Sequence, residues 1–231
     1  MSRALSGEEV HVWSVLLCEE RAEYHQLLSP AERERAARFS HARARLHFVA
    51  GRALLRQILA DYLDRDPAAI DFNFGKHGKP HLADEADTGL RFNLSHSGEL
   101  AVLAVARGRA VGVDVEQISA QRATDDIAQR FFSRNEWAAL RALPAELRVP
   151  AFFRCWTCKE AFIKLIGDGM TFPLEDFDVS FAPGEPPALV SVHGSTAEAE
   201  RWTLHELNAP PDYAATLAIE GRVRQVMQKT W

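Results

Sequence analysis

The sequence predicts an α+β (α/β) fold of two similar lobes related by a pseudo-twofold axis, each with a long helix packed on a small antiparallel sheet. The first observation is a helix-start signal that occurs twice. Ser29-Pro30-Ala31-Glu32 and Ser133-Arg134-Asn135-Glu136 each place serine at an N-cap and glutamate three residues later, which is a capping box. A longer helical segment follows each box, at residues 51–56 and 159–164.

The second observation is that strand-like segments follow both long helices in the same order. Residues 70–74 parallel 177–181, 91–94 parallel 201–204, and 100–106 parallel 213–219. Matches in one order favour an internal duplication over a chance likeness of amphipathic patterns. We therefore expect an N-terminal lobe at residues 1–111 and a C-terminal lobe at 112–231, with a ligand site between them. In this alignment Arg52 matches Glu160 and Arg56 matches Lys164, so Arg52 is expected to face the same cleft as Glu160.

Composition narrows the class of protein. The 231-residue chain is 47% hydrophobic, enough for a packed core, and its formal net charge of −5 disfavours nucleic acid as a partner. No run reaches the roughly 18 apolar residues of a membrane span, and the N-terminal residues lack the apolar core of a secretory signal. Three cysteines fit a reducing cytoplasm, and Cys155 and Cys158 are predicted to be packing residues because no second pair accompanies them.

Two pairs of charged residues have the spacing of a metal and phosphate site. Asp114 and Glu116 stand two apart in a β-branched segment, so a strand would project both from one face. Glu160 and Lys164 stand one turn apart on a predicted helix. Magnesium is usually held by one or two carboxylates together with substrate phosphates. The alternative is that the first pair is the solvated face of an edge strand and the second an ordinary exposed helix pair.

Two polar segments could bind an anion. Phe92-Asn93-Leu94-Ser95-His96-Ser97-Gly98 ends an apolar strand, where the Ser95 hydroxyl, His96 and backbone N–H groups could hold a phosphate. The alternative is a polar loop with a solvated histidine. Gly75-Lys76-His77-Gly78-Lys79-Pro80 could bring lysine near a phosphate, or it could be only a hairpin turn. It lacks the Gly-Lys-Ser/Thr of a P-loop.

Five motifs together resemble the 4′-phosphopantetheinyl transferases of the surfactin-synthetase-activating type. They are Gly78-Lys79-Pro80, Phe92-Asn93-Leu94-Ser95-His96-Ser97, Gly112-Val113-Asp114-Val115-Glu116, Arg130-Phe131-Phe132-Ser133 and Trp156-Thr157-Cys158-Lys159-Glu160-Ala161-Phe162-Ile163-Lys164. The resemblance implies a monomer with a pseudo-twofold fold and a site between its lobes. It also implies transfer of phosphopantetheine from coenzyme A to a serine of an apo acyl, peptidyl or aryl carrier protein, releasing 3′,5′-ADP.

The resemblance also implies residue roles. Asp114, Glu116 and Glu160 would hold Mg²⁺ against the pyrophosphate, Lys164 would neutralise charge as the diphosphate breaks, and Glu160 or a metal-bound water would take the serine proton. The expected coenzyme A ligands are Lys79, Pro80, Ser95 and His96, with Arg52 as a further phosphate ligand. The family often has lysines after the Ser-Pro that opens the first long helix; here Arg35 replaces one, and Glu32 is explained by its capping role.

Two other classes of protein are compatible with some of these residues. A non-catalytic module that binds coenzyme A or a carrier protein is disfavoured by the complete set of acids. A metal-dependent phosphodiesterase or nuclease is disfavoured by the net negative charge and the lack of an aromatic and basic groove. The resemblance therefore implies a monomeric Mg²⁺-dependent transferase with coenzyme A as co-substrate, and the cysteine content predicts a cytoplasmic location.

Overall fold

The structure is a computed structural model that describes residues 4–19, 21–76, 78–167 and 172–231. His77 of the predicted glycine-rich loop lies outside the described residues. The helices are α1 (Ala22–Leu27), α2 (Pro30–Ala37), α3 (Ala42–Leu63), α4 (Glu85–Thr88), α5 (Asp125–Phe131), α6 (Arg134–Ala142), α7 (Ala145–Ile166) and α8 (Thr196–Ala199). The strands are β1 (Glu9–Leu16), β2 (Phe72–Phe74), β3 (Pro80–Leu82), β4 (Leu90–Ser97), β5 (Leu100–Arg107), β6 (Val111–Gln117), β7 (Phe177–Ser180), β8 (Ala188–Val192), β9 (Trp202–Glu206), β10 (Tyr213–Glu220) and β11 (Gln225–Thr230).

Both predicted capping boxes are present. Ser29 caps α2 and Ser133 caps α6, and in each box the glutamate side chain returns a hydrogen bond to the serine backbone. The following long helices, α3 and α7, have 22 residues each. The α+β class and the pairing of each capped helix with a long helix are therefore confirmed, whereas strand β1 and helix α1 precede the first pair and helix α5 precedes the second.

In the N-terminal half, the capping glutamate forms a buried ion pair with α3. Glu32 lies 2.9 Å from Arg56, which is 2% exposed and also donates to the Ile70 carbonyl at 2.7 Å. A buried arginine needs such partners because an unpaired charge in the interior is costly. The capping role expected of Glu32 is confirmed, because its side chain also accepts from the Ser29 backbone N–H.

The C-terminal half repeats this ion pair and corrects the predicted alignment. Lys159 lies 2.7 Å from Glu136 and donates to the Phe177 carbonyl at 2.7 Å, as Arg56 does in the other half. Arg56 therefore corresponds to Lys159. The predicted matches of Arg52 with Glu160 and of Arg56 with Lys164 were wrong, because the buried ion pairs fix a different register between the two helices.

The strands form two main sheets, ordered β11-β1-β5-β4 and β6-β10-β9, and two hairpins, β2-β3 and β7-β8. Helix α7 packs against β6 and β10, while the residues of α3 share a core with the inner face of β5. β11 runs parallel to β1, so a strand from the predicted C-terminal lobe completes the sheet of the N-terminal one. The division into lobes at residue 111 stays a prediction, and β11 would be a strand of the second lobe that pairs with the sheet of the first.

In the part of the chain that the structure describes, no helix combines the length and the apolar character needed to cross a bilayer.

Candidate active site

Polar side chains of β4 hold the edge of β6. β6 forms its ladder with β10, and its N–H groups on the side facing β4 are bound by side-chain oxygens. The three bonds are Val113 N–H to Asn93 Oδ1 at 2.7 Å, Val115 N–H to Ser95 Oγ at 3.4 Å, and Gln117 N–H to Ser97 Oγ at 3.0 Å. Asn93, Ser95 and Ser97 belong to the segment that was predicted to bind an anion, and in the structure they join the two sheets. Their side chains supply the acceptors that the backbone N–H groups of β6 require.

Asp114 lies at the centre of this junction. Its Oδ1 accepts hydrogen bonds from Ser95 Oγ at 2.9 Å and from Lys164 Nζ at 2.6 Å. The side chain is buried, and its Oδ2 has no hydrogen-bond partner among the described residues. Burial raises the pKa of Asp114, and the Lys164 ammonium opposes that shift. An unpartnered carboxylate oxygen in the interior is available to a cation.

Ser95 is placed differently from the prediction. Its hydroxyl donates to Asp114 and accepts from Lys164 at 2.8 Å, and the residue is buried. A hydroxyl with these partners has little capacity left for a phosphate. In the structure the Ser95 hydroxyl orients Asp114 and Lys164, and its role as a coenzyme A ligand stays a prediction.

Glu160 and Glu116 complete the acidic cluster. Glu160 is half-buried, and its pKa is raised by burial and by the charges of Asp114 and Glu116. Glu116 accepts from Ser97 Oγ at 2.8 Å, and the same oxygen lies 2.9 Å from Arg122. Both Asp114 and Glu116 reach serines of β4, so the prediction that they project from one side of a strand is confirmed.

Gly112 allows α7 to approach β6 closely. A Cβ at this position would lie 2.1 Å from the Ala161 carbonyl oxygen and 2.4 Å from the Leu165 backbone nitrogen. Only glycine fits such a contact. The approach brings Glu160 and Lys164, on α7, to Asp114, on β6.

The three acids do not form a complete metal site by themselves. In the described ranges, no group of three or more His, Cys, Asp or Glu side chains is arranged to hold a metal ion. The predicted set of three ligands is therefore not preassembled, and Glu116 is engaged by Arg122. The unpartnered Asp114 oxygen together with Glu160 nonetheless fits magnesium, which needs only one or two carboxylates when substrate phosphates supply other oxygens.

Lys79 lies against the end of α7. Its ammonium donates to the Lys164 carbonyl and lies 3.5 Å from the Val111 carbonyl, and burial lowers its pKa to about 8. Lys79 and Pro80 line a cavity of about 310 Å³ together with Arg91. The two predicted coenzyme ligands are thus half-buried beside the helix that carries Lys164.

His96 is exposed on β4 beside a second histidine. The ring of His47, on α3, makes an edge contact with His96 at a centroid distance of 6.5 Å. Although the residue is exposed as a whole, desolvation of its imidazole by neighbouring atoms lowers the pKa of His96, and the charges of His47 and Lys164 lower it further. The sequence reasoning did not single out His47, because only the packing of α3 on β4 brings the two imidazoles together.

Arg52 lines a cavity of about 520 Å³ with Arg35, Phe48, Phe72 and Phe74. Its Nε lies 3.3 Å from Glu32, and its Nη1 is buried with no hydrogen-bond partner within the described residues. Asp114, Glu116 and Glu160 are not among the lining residues. The structure therefore gives Arg52 an available donor but does not join it to the acidic cluster.

Comparisons with known proteins identify the family. Residues 110–218 match the 4′-phosphopantetheinyl transferase superfamily, and residues 13–108 match the family described as 4′-phosphopantetheinyl transferase, N-terminal. The chain is 40% identical over 221 residues to 4′-phosphopantetheinyl transferase HetI of Nostoc sp. (strain PCC 7120), covering 94% of this chain and 90% of that protein. The chain belongs to the 4′-phosphopantetheinyl transferase superfamily.

Two further relatives are similar to a smaller part of the chain. 4′-Phosphopantetheinyl transferase Sfp of Bacillus subtilis (strain 168) is 32% identical over 161 residues, with 70% of each chain covered. The L-aminoadipate-semialdehyde dehydrogenase-phosphopantetheinyl transferase of Homo sapiens is 32% identical over 68% of this chain and 53% of that protein. Among solved structures, the holo-[acyl-carrier-protein] synthase of Thermotoga maritima is 22% identical with a TM-score of 0.37, covering 49% of this chain and 63% of that one.

Proposed function

We propose that this protein transfers 4′-phosphopantetheine from coenzyme A to a serine of an acyl, peptidyl or aryl carrier protein, releasing 3′,5′-ADP. The observation that carries the proposal is Asp114, whose buried Oδ2 is unpartnered while its Oδ1 is paired with Lys164 beside Glu160. In the reaction a serine oxygen bonds to the β-phosphorus of coenzyme A, and the bond to the bridging oxygen of the diphosphate breaks. The bridging electron pair leaves with 3′,5′-ADP.

Each residue has a proposed part in that step. Mg²⁺, when bound, would neutralise the pyrophosphate; Asp114 and Glu160 would hold it, with Glu116 as the third candidate ligand. Lys164 Nζ would neutralise charge on the leaving diphosphate. Glu160 would take the serine proton, directly or through water, because its raised pKa makes it a stronger base than an ordinary glutamate.

The coenzyme ligands are proposed on the same basis. His96, with Lys79 and Pro80, would contact the 3′-phosphate and nucleoside side of coenzyme A. Arg52 would give its unpartnered Nη1 to a phosphate. These contacts would fix the leaving group for in-line attack.

A direct assay separates this function from the two alternatives. The protein is incubated with coenzyme A, MgCl₂ and apo carrier proteins of the fatty-acid, polyketide and nonribosomal-peptide types, and each carrier is weighed by mass spectrometry. Addition of one phosphopantetheine per carrier is expected. Binding without added mass would indicate a non-catalytic module, and cleavage of coenzyme A without carrier modification would indicate a phosphodiesterase.

We also propose that the protein is monomeric and cytoplasmic, with lobes at residues 1–111 and 112–231 apart from the crossing strand β11. A molar mass near the 25.8 kDa of one chain in size-exclusion chromatography with light scattering is the expected result. A twofold larger mass, independent of protein concentration, would contradict the monomer.

His96→Ala is expected to weaken coenzyme A about tenfold and 3′-dephospho-coenzyme A much less, because a hydrogen bond to a charged group contributes roughly 1.5–3 kcal/mol. The lowered pKa leaves the free imidazole neutral at pH 7, whereas a phosphate favours imidazolium. Coenzyme A affinity should therefore rise as pH falls from about 7.5 toward the ordinary histidine pKa of about 6.5, and the variant should lose this dependence.

Calorimetric titration of both ligands across pH tests this prediction. His193→Ala is the matched control, because His193 is an exposed histidine of the C-terminal half whose neighbour is Asp176. If His96→Ala weakens the binding of coenzyme A and of 3′-dephospho-coenzyme A equally, His96 does not contact the 3′-phosphate.

Arg52→Ala is expected to raise the apparent coenzyme A constant about tenfold while leaving the carrier-protein constant nearly unchanged, because a charge-assisted bond to phosphate is lost. In this variant Glu32 still pairs with Arg56 and still accepts from the Ser29 backbone N–H, so the protein should stay folded. Steady-state kinetics with each substrate varied provide the measurement. Arg38→Ala, at an exposed arginine paired with Glu34, is the control. A defect toward the carrier alone would refute the assignment of Arg52.

A further inference from the structure

One proposed metal ligand is held by an arginine. Arg122 lies between β6 and α5, and its Nη1 is 2.9 Å from Glu116 Oε2. The same oxygen accepts from Ser97 Oγ at 2.8 Å. The Arg122 side chain is 51% exposed, whereas Glu116 is 17% exposed. Arg122 can therefore leave Glu116 for solvent without opening the core.

A second contact keeps Arg122 near this position. Its guanidinium lies 5.7 Å from the ring centroid of Phe153, which is buried on α7. A cation near an aromatic ring is attracted to it. Arg122 thus bridges the strand of Asp114 and the helix of Glu160 from the outside.

The acidic cluster has an excess of negative charge. Asp114, Glu116 and Glu160 lie close enough that the charges of the first two raise the pKa of Glu160, while Lys164 and Arg122 supply the positive charges in contact with the cluster. Asp114 is 3% exposed, and its Oδ2 has no partner in the described part of the chain. A divalent cation at Asp114 and Glu160 would offset this excess. Ser97 and Arg122 both contact Oε2 of Glu116, so Glu116 can turn this oxygen to the ion only after it gives up Arg122.

We propose that Arg122 competes with the metal ion for Glu116 and so sets the metal affinity of the site. Arg122 neutralises Glu116 before the ion binds and is displaced when Glu116 turns to the ion. The inference rests on the proposed function, in which Asp114 and Glu160 hold the same ion. Arg122 touches neither substrate nor reacting atoms, so it is a positioning residue.

The test uses Mn²⁺ alone as the probe, with free Mn²⁺ measured by electron paramagnetic resonance at constant ionic strength. Arg122→Gln is expected to bind Mn²⁺ about twofold to fivefold more tightly than the unaltered protein, the range that follows from exposed ion pairs. Arg141→Gln is the matched control, because Arg141 is similarly exposed and lies 2.8 Å from Asp125, outside the acidic cluster. The Mn²⁺ affinity of Arg141→Gln should equal that of the unaltered protein. Equal or weaker Mn²⁺ binding by Arg122→Gln overturns the proposal.

Two further variants separate this inference from the proposed function. In a protein that already carries Glu116→Gln, adding Arg122→Gln should no longer change the Mn²⁺ affinity. The carboxylate for which Arg122 and the ion compete is then absent. An Arg122 effect that persists there would be a general charge effect and would refute the competition. If Asp114→Asn binds Mn²⁺ as tightly as the unaltered protein, the metal assignment itself fails. If Asp114→Asn loses binding and Arg122→Gln shows no gain, only the competition fails.

Discussion

Asp114→Asn is expected to lower the rate of carrier-protein modification by at least about 100-fold, because a charged metal ligand supplies several kcal/mol of transition-state stabilisation. Asparagine keeps the volume of the side chain and can still accept from Ser95 and Lys164. It removes the charge that Lys164 faces at 2.6 Å and the anionic Oδ2 that has no partner in the described structure. The chain should stay folded, since Lys164 is 29% exposed and can be solvated after the ion pair is lost.

The rate is measured from the growth of the modified-carrier mass at saturating substrates, and the fold from the circular dichroism melting curve. Asp125→Asn is the control, because Asp125 is also a carboxylate paired with an arginine but is exposed on α5. A folded Asp114→Asn enzyme that keeps more than about a tenth of the turnover, a barrier change under about 1.4 kcal/mol, would contradict the metal assignment.

The parts of the fold that the sequence predicted correctly depend on local interactions. Ser29 with Glu32, and Ser133 with Glu136, satisfy backbone groups within one helical turn, so four consecutive residues are enough to predict them. The alternation of Asp114 and Glu116 depends only on the pleat of a strand. Local rules of this kind also locate the segments that became β4, β5, β6, β9 and β10.

The features that escaped prediction depend on contacts between distant segments. The parallel pairing of β11 with β1 joins the two ends of the chain, and nothing in the pattern of either strand encodes its partner. The Ser95 hydroxyl looked available for an anion because its bonds to Asp114 and Lys164 form only when β4, β6 and α7 pack together. Arg122 was missed because a lone arginine in a connection has no sequence pattern that points to Glu116.

The repeat illustrates a limit of alignment by residue type. Similar charge at Arg56 and Lys164 suggested one register, yet the partner that matters is the capping glutamate of each half. Burial decides the correct match, since Arg56 and Lys159 are both almost fully enclosed. Both halves thus retain the same structural ion pair, whereas the acidic cluster takes its carboxylates from β6 and α7.

Gly112→Ala is expected to destabilise the protein by about 3 kcal/mol and to impair transfer in the fraction that folds. The new methyl group would lie 2.1 Å from the Ala161 carbonyl oxygen and 2.9 Å from the Leu165 Cα, which are backbone atoms that cannot rotate away. Overpacking typically costs 1–3 kcal/mol, and contact with backbone places this change at about the upper end. Relief requires α7 to move away from β6, and Lys164 then moves away from Asp114.

Gly51→Ala is the matched control for that substitution. Gly51 lies inside α3, and a methyl group there would approach only Leu17 Cδ2 at 4.0 Å, an ordinary contact. Replacing glycine by alanine within a helix should stabilise the protein by roughly 0.5–1 kcal/mol, so the two variants are expected to shift the unfolding free energy in opposite directions. Urea denaturation measures both shifts, and single-turnover transfer in the absence of denaturant measures the chemical step. A Gly112→Ala protein as stable as the unaltered one, with full single-turnover activity, would show that the close approach of α7 to β6 does not set the geometry of the acidic cluster.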